Sequence, residues 1–286
     1  MEREPAIIVE NLTFQYHSRT EPAIHDLTFK VFPGEVLLIA GSSGCGKTTL
    51  MRCINGLIPH TYRGILTGNI QLFDKPVSSL PMADLSQTIG TLLQDPERQI
   101  VGSYVKNEVA FGLENLGFSR EEITKRVDET LEFLGILHLR DRETFSISGG
   151  EKQKVALAGV LVMQPKVLLL DEPLASLDPA SSHEALKLFR QLADNGIAVM
   201  IVEHRVEDVL SINPERVLYL DCGIQAYYGE SAGLMDVVDY HRIKLPAEIV
   251  MQRAKNEPIV EFRPLLTPQP GDALVKFDQV SFKYRD

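Results

Sequence analysis

Eight residues, Gly41-Ser42-Ser43-Gly44-Cys45-Gly46-Lys47-Thr48, restrict this chain more than any others, because they fit the phosphate-binding pattern G-x-x-x-x-G-K-[ST]. The pattern works where a strand runs into a helix, and both flanks here meet that demand. Val36-Leu37-Leu38-Ile39-Ala40 is a wholly apolar run of the kind a strand buried on both faces requires. After the loop, Leu50, Met51, Ile54 and Leu57 recur at helical spacing. Glycines let backbone N–H groups turn towards an anion, and a helix N-terminus adds partial positive charge. Lys47 is placed to reach terminal phosphates, and the hydroxyl of Thr48 to ligate Mg²⁺.

The remaining chemistry lies downstream. Val167-Leu168-Leu169-Leu170 is an apolar run ending in the paired carboxylates Asp171 and Glu172. They stand where ligands gather, at the C-terminal ends of parallel strands. Asp171 can hold Mg²⁺ through water, and Glu172 can act as a general base on a water molecule. Ser148-Gly149-Gly150-Glu151-Lys152-Gln153 precedes a helical pattern through Val155, Leu157, Val160 and Leu161, and reads as a second anion site. Ser148 and Glu151 also have capping-box spacing, which does not account for the two glycines.

The rest of the pattern predicts an α/β architecture. Ile7–Tyr16 is β-rich and leads, through further antiparallel strands, to the glycine loop. Thr88–Leu93 reads as a strand ending at Gln94-Asp95-Pro96, and Glu121–Leu137 as an amphipathic helix. The apolar runs beginning at Val167, Val199 and Val217 alternate with helical patterns such as Glu184–Ala193, which predicts a mainly parallel sheet covered by helices.

Composition limits the function. The formal net charge of −10 argues against a nucleic-acid partner, since such partners are bound largely through Lys and Arg. Neither a run of membrane-spanning length nor a signal-peptide layout appears, and Cys45, Cys53 and Cys222 have no metal-ligand spacing. A reducing, cytosolic setting is expected. From its place in the loop, Cys45 is expected to be shielded from alkylation by bound nucleotide.

Taken in order, these motifs resemble the nucleotide-binding subunits of ABC transporters. The resemblance rests on an aromatic at Tyr16, the loop Gly41–Thr48 and the glutamine Gln94. It continues through the signature Ser148–Gln153, the acidic strand end Asp171-Glu172, Ser176-Leu177-Asp178 and His204. It implies a P-loop NTPase fold with an antiparallel β subdomain and a helical signature subdomain at about 96–160, within a domain spanning 1–245. It further implies that Tyr16 stacks on adenine and that Gly41, Ser42, Ser43, Gly44, Cys45, Gly46, Lys47, Thr48 and Thr49 cradle ATP. Thr48, Gln94 and Asp171 would serve Mg²⁺, Glu172 would be the base, and His204 would bond the terminal phosphate. Ser148, Gly149, Gly150 and Asp178 would close on ATP held by a second ABC domain, in tandem or as a homodimer. Glu151, Lys154 and Leu174 stand where glutamine, arginine and threonine are frequent in the family.

A narrower resemblance, in Gln94–Val101 and Asn107–Asn115, is to the ATPases of energy-coupling-factor importers of vitamins or of cobalt and nickel ions. It implies a transmembrane coupling subunit, a substrate-binding membrane subunit and a peripheral place on the cytoplasmic face of the membrane. The alternative is a soluble tandem ABC ATPase acting on ribosomes or DNA. Prolines at 246, 258, 264, 268 and 270 mark 246–272 as a linker. Beyond it, Val280-Ser281-Phe282-Lys283-Tyr284 parallels Leu12-Thr13-Phe14-Gln15-Tyr16, so 273–286 reads as the first strand of a second copy of the domain.

Overall fold

The computed structural model describes residues 3–238, with Met251, Lys255 and Asp278 as isolated further positions. The expected linker and the start of a second domain lie outside the described residues. Strands β1 (Ile7–Tyr16), β2 (Ile24–Val31), β3 (Val36–Gly41), β4 (Gly64–Leu72), β5 (Lys75–Pro76) and β6 (Ile89–Leu92) precede β7 (Val167–Asp171). Next come β8 (Ala198–Val202), β9 (Arg216–Asp221) and β10 (Ile224–Gly229). The helices are α1 (Lys47–Ile54), α2 (Leu57–His60), α3 (Met82–Thr88), α4 (Val105–Asn115) and α5 (Arg120–Phe133). They continue with α6 (Gly149–Leu161), α7 (Pro179–Asp194), α8 (Val206–Leu210) and α9 (Ser231–Val237).

Among the described residues the strands form one sheet in the order β5-β4-β1-β2-β10-β9-β3-β8-β7-β6. Strands β9, β3, β8, β7 and β6 are parallel neighbours, whereas β1 pairs antiparallel with both β2 and β4. All six residues of β3 are buried, and so are all five of β8. Alternation divides them between two cores. Val36, Leu38 and Ala40 pack with α4–α7, whereas Leu37 and Ile39 pack with α1 and the antiparallel strands. A polar residue within these runs would be buried on one face or the other, which is why they are purely apolar.

Two helices end earlier than the apolar spacing predicts. The helix expected over Glu121–Leu137 is α5, which stops at Phe133. Gly135 then takes a left-handed φ of +69° that a side chain would resist. Leu137 falls in a separate short 3₁₀ turn. Likewise Leu57 does not continue α1, which ends at Ile54 with Asn55 as its cap.

Leu169 is fully buried in β7, among apolar side chains from β3, β8 and α1. Leu169→Ala is expected to lower stability by about 2–5 kcal/mol, read as a lower urea midpoint with an unchanged slope.

Candidate active site

The sheet delivers its functional groups to one edge. Strand β3 ends at Gly41 and opens the glycine loop, β7 ends at Asp171, and β8 ends one residue before Glu203-His204. These three strands are adjacent and parallel, so residues far apart in sequence emerge side by side.

The loop is shaped for an anion. Gly46 takes φ +104°, and a Cβ there would lie 2.5 Å from the Ala23 carbonyl oxygen, so no side chain fits. Helix α1 has no side-chain cap and no acid in its first turn, which leaves its N-terminal partial charge unanswered. Lys47 is buried, and its Nζ donates to the carbonyls of Gly41 at 2.8 Å and Ser42 at 2.9 Å. It forms no ion pair among the described residues. A buried ammonium with only neutral partners beside an uncapped helix start is a site that phosphate fits. Ser43, Gly44 and Thr48 are exposed, whereas Thr49 is buried and lies 3.2 Å from the Tyr16 hydroxyl. Arg52 also donates to that hydroxyl, at 3.3 Å, so Tyr16 is braced against the face of α1.

Opposite the loop, Thr48 Oγ1 donates to Asp171 Oδ2 at 3.4 Å. Burial, helped by the neighbouring charge of Glu172, raises the Asp171 pKa. The pair fits a divalent cation, since Mg²⁺ ordinarily takes one or two carboxylates with phosphate oxygens and water. Glu172 is held at both oxygens: Gln94 Nε2 donates to Oε2 at 2.7 Å, and His204 Nε2 lies 2.9 Å from Oε1. Its φ of +48° is left-handed, a conformation costing about 1–3 kcal/mol in a non-glycine residue. The surroundings thus fix a carboxylate where the chain itself would not place one.

Other predicted residues sit apart from this group. Ser148 is exposed at the start of α6 and completes a capping box: its Oγ and N both donate to Glu151 Oε2, at 2.7 and 2.8 Å. These bonds lower the Glu151 pKa. Among the described residues no hydrogen bond joins Ser148, Gly149 or Gly150 to the glycine loop. A Cβ at Gly149 would meet nothing within 4 Å, and one at Gly150 only Leu177 at 3.9 Å. Among the described residues, nothing therefore demands these glycines. Asp178 is the N-cap of α7, accepting from Ala180 N at 2.9 Å and Ser181 N at 3.1 Å.

Several connections escaped the sequence reading. Gln153, buried in α6, donates through Nε2 to the Pro173 carbonyl. Lys152 Nζ lies 2.5 Å from Glu97 Oε1, tying the start of α6 to the segment after Gln94. Glu108, buried in α4, accepts from Val101 N at 2.8 Å and Gly102 N at 2.6 Å. A carboxylate in an otherwise apolar helix face is the one sequence sign of such a clamp.

A glycine loop between a buried strand and a helix, facing an acidic strand end, defines a P-loop nucleotide-triphosphate site. The comparisons narrow the class. The model of the ABC transporter family matches residues 24–175. An ABC transporter ATP-binding protein of Lactiplantibacillus plantarum is 43% identical over 77% of this chain and 39% of its own length. YkoD of Bacillus subtilis, named as an HMP/thiamine import ATP-binding protein, is 40% identical over 71% of this chain and 37% of its own. The solved structure of cbiO1 from Clostridium perfringens, described as part of the ABC transporter complex cbiONQ, superposes with a TM-score of 0.73. It is 32% identical and covers 87% of this chain and 99% of that one. The chain belongs to the ABC transporter family and carries its ATPase domain. It spans about two fifths of the length of the curated relatives it matches.

Because the Asp171 pKa is raised by folding, the native state binds its proton more tightly than the unfolded chain does. Stability therefore falls as pH rises from the unfolded value through the raised one. Asp171→Asn is expected to raise the Tm of the nucleotide-free protein at pH 7, by about 2–4 °C per kcal/mol relieved. It should also remove the further stabilisation given by Mg²⁺ with ATP. A lower Tm without nucleotide would contradict the placement of the charge.

The cysteines revise one expectation. Cys45 is 3% exposed within the loop itself, with its thiol pushed up by burial. Cys53 is likewise buried, and its pKa is pushed up to about 12. Cys222 is exposed. Iodoacetamide followed by peptide mass spectrometry should therefore modify Cys222 first, with Cys45 protected whether or not ATP is present.

Proposed function

We propose that this chain supplies one nucleotide-binding half of a composite ATPase that closes on a second ABC domain and drives a membrane importer of the energy-coupling-factor type. The observation that carries the reading is the carboxylate of Glu172, gripped by Gln94 and His204 beside the anion cradle of Lys47 and α1.

In this reading ATP lies along Gly41–Thr49 with its base against Tyr16. Lys47 and the first-turn amides of α1 hold the phosphates, and Thr48 and Asp171 hold Mg²⁺, which neutralises developing charge on the phosphate oxygens. Glu172 takes the proton of the attacking water, while Gln94 and His204 keep its carboxylate aimed. The open space at Gly149 and Gly150 receives the ATP of the other domain, with the Ser148 hydroxyl as donor and Asp178 nearby. Each catalytic site is then built from two halves.

A groove of about 400 Å³ between α3, α4 and α6 is the surface for the membrane partner. Met82 and Phe111 line it and remain 42% and 50% exposed, large apolar side chains of a kind that a partner helix covers. The Glu97–Lys152 pair connects the segment after Gln94 to α6, so movement at the groove reaches both Gln94 and Ser148. The transported substrate is a micronutrient: a vitamin, its precursor, or a cobalt or nickel ion. The likeness to YkoD and to cbiO1 supports an importer. The domain works at the cytoplasmic face of the membrane through its partners, and no helix of the described residues is long and apolar enough to cross it.

Glu172→Gln keeps the shape of the side chain and removes the base. It should bind ATP as tightly as the parent, lose at least about 100-fold in turnover, and accumulate the closed two-domain state by light scattering. Turnover at the parental rate would sink the assignment.

A further inference from the structure

Glu203 is 2% exposed, and among the described residues it forms no ion pair. Its partners are main-chain amides from two separate segments. Oε1 accepts from Leu174 N at 3.0 Å, and Oε2 accepts from His204 N at 2.8 Å and Arg205 N at 3.2 Å. The Arg205 side chain is engaged elsewhere, with Asp208 at 2.6 Å and Ser182 Oγ at 3.0 Å. A carboxylate in so dry a place is tolerated because its hydrogen bonds are charge-assisted.

The position of these amides gives the carboxylate its meaning. Leu174 lies two residues beyond Glu172, and His204 is the side chain that meets Glu172 Oε1 at 2.9 Å. Glu203 N donates to the Ile39 carbonyl of β3 at 3.3 Å, so the anchor is itself fixed to the strand that carries the glycine loop. From the other side, Gln153 of α6 holds the Pro173 carbonyl. The segment after Glu172 thus runs between two buried side chains, one from the sheet and one from the signature helix.

We propose that Glu203 is a positioning residue for ATP hydrolysis: its buried carboxylate joins the main chain after Glu172 to the main chain at His204 and so sets the two side chains at their working separation. The chemistry requires a carboxylate. Both oxygens accept and neither donates, which matches amides arriving from two segments; a carboxamide would turn an N–H towards one of them. This inference rests on the reading of Glu172 and His204 given above and adds a residue that does not touch the reacting atoms.

The test is steady-state and single-turnover hydrolysis of radiolabelled Mg-ATP by the protein with its partner ABC domain present. Glu203→Gln is expected to lower kcat by about 10–100-fold, with the KM for ATP changed by less than about twofold. In a His204→Ala background the same change should cost less than about twofold more, because the side chain it positions is gone. Should Glu203→Gln fail to fold, Glu203→Asp, which keeps the charge but is one methylene too short to span both segments, replaces it with the same expectations. A parental kcat in the folded variant, or an equal loss in the His204→Ala background, overturns the proposal. Glu172→Gln run alongside separates the two readings. If it turns over normally the site assignment itself falls, whereas a dead Glu172→Gln beside an unaffected Glu203→Gln removes only the role given to Glu203.

Discussion

Burial of β3, β7 and β8 on both faces is the constraint on which the rest of the structure depends. Strands covered on both sides must be apolar along their whole buried length, so polar chemistry is confined to their ends. The chain meets this strictly: β3 and β8 are buried throughout, and β7 stays buried until Asp171. Because the three run parallel in adjacent places, their C-terminal ends coincide. The glycine loop, Asp171-Glu172 and Glu203-His204 meet there, although up to 163 positions separate Gly41 from His204 in the sequence.

At that edge, charge is managed by hydrogen bonds more than by ion pairs. Lys47 rests on carbonyl oxygens, Glu203 on amides, and Glu172 between an amide side chain and an imidazole. Such partners hold a charged group in place without neutralising it. The group stays available to a phosphate, a metal ion or a proton. Asp171 shows the cost: half-buried beside a second acid and, among the described residues, with only the Thr48 hydroxyl on its side chain, it has its pKa raised.

The helical layer extends this edge outward. Helix α6 begins at Ser148 with a capping box and reaches the acidic strand end through Gln153, while Lys152 links it to Glu97. The segment between Gln94 and α4 is pinned by Glu108, and Thr144, four residues before Ser148, donates through Oγ1 to the Gly102 carbonyl at 2.7 Å. The bonds made by Gln153, Lys152 and Thr144 each join elements distant in sequence. Together they make the apolar groove at Phe111, the Gln94 segment and the start of α6 mechanically continuous.

Much of this was legible in the chain itself. Unbroken apolar runs at Val36 and Val167 specify strands buried on both faces, and the glycine pattern between a strand and a helix specifies an anion cradle. These signals are local, set by steric and hydrophobic demands on consecutive residues. The motif order was enough to point to the ABC family, which the comparisons bear out. Helix ends were less legible, since apolar spacing runs on past Phe133 while the backbone turns at Gly135. What the tertiary structure alone decided is which polar groups hold one another. Glu108, Gln153 and Glu203 look in sequence like ordinary polar residues beside apolar ones. Backbone amides and carbonyls carry no side-chain identity to be read, and only the tertiary fold brings Pro173 to Gln153 and Leu174 to Glu203, or turns the amides of Val101 and Gly102 onto Glu108.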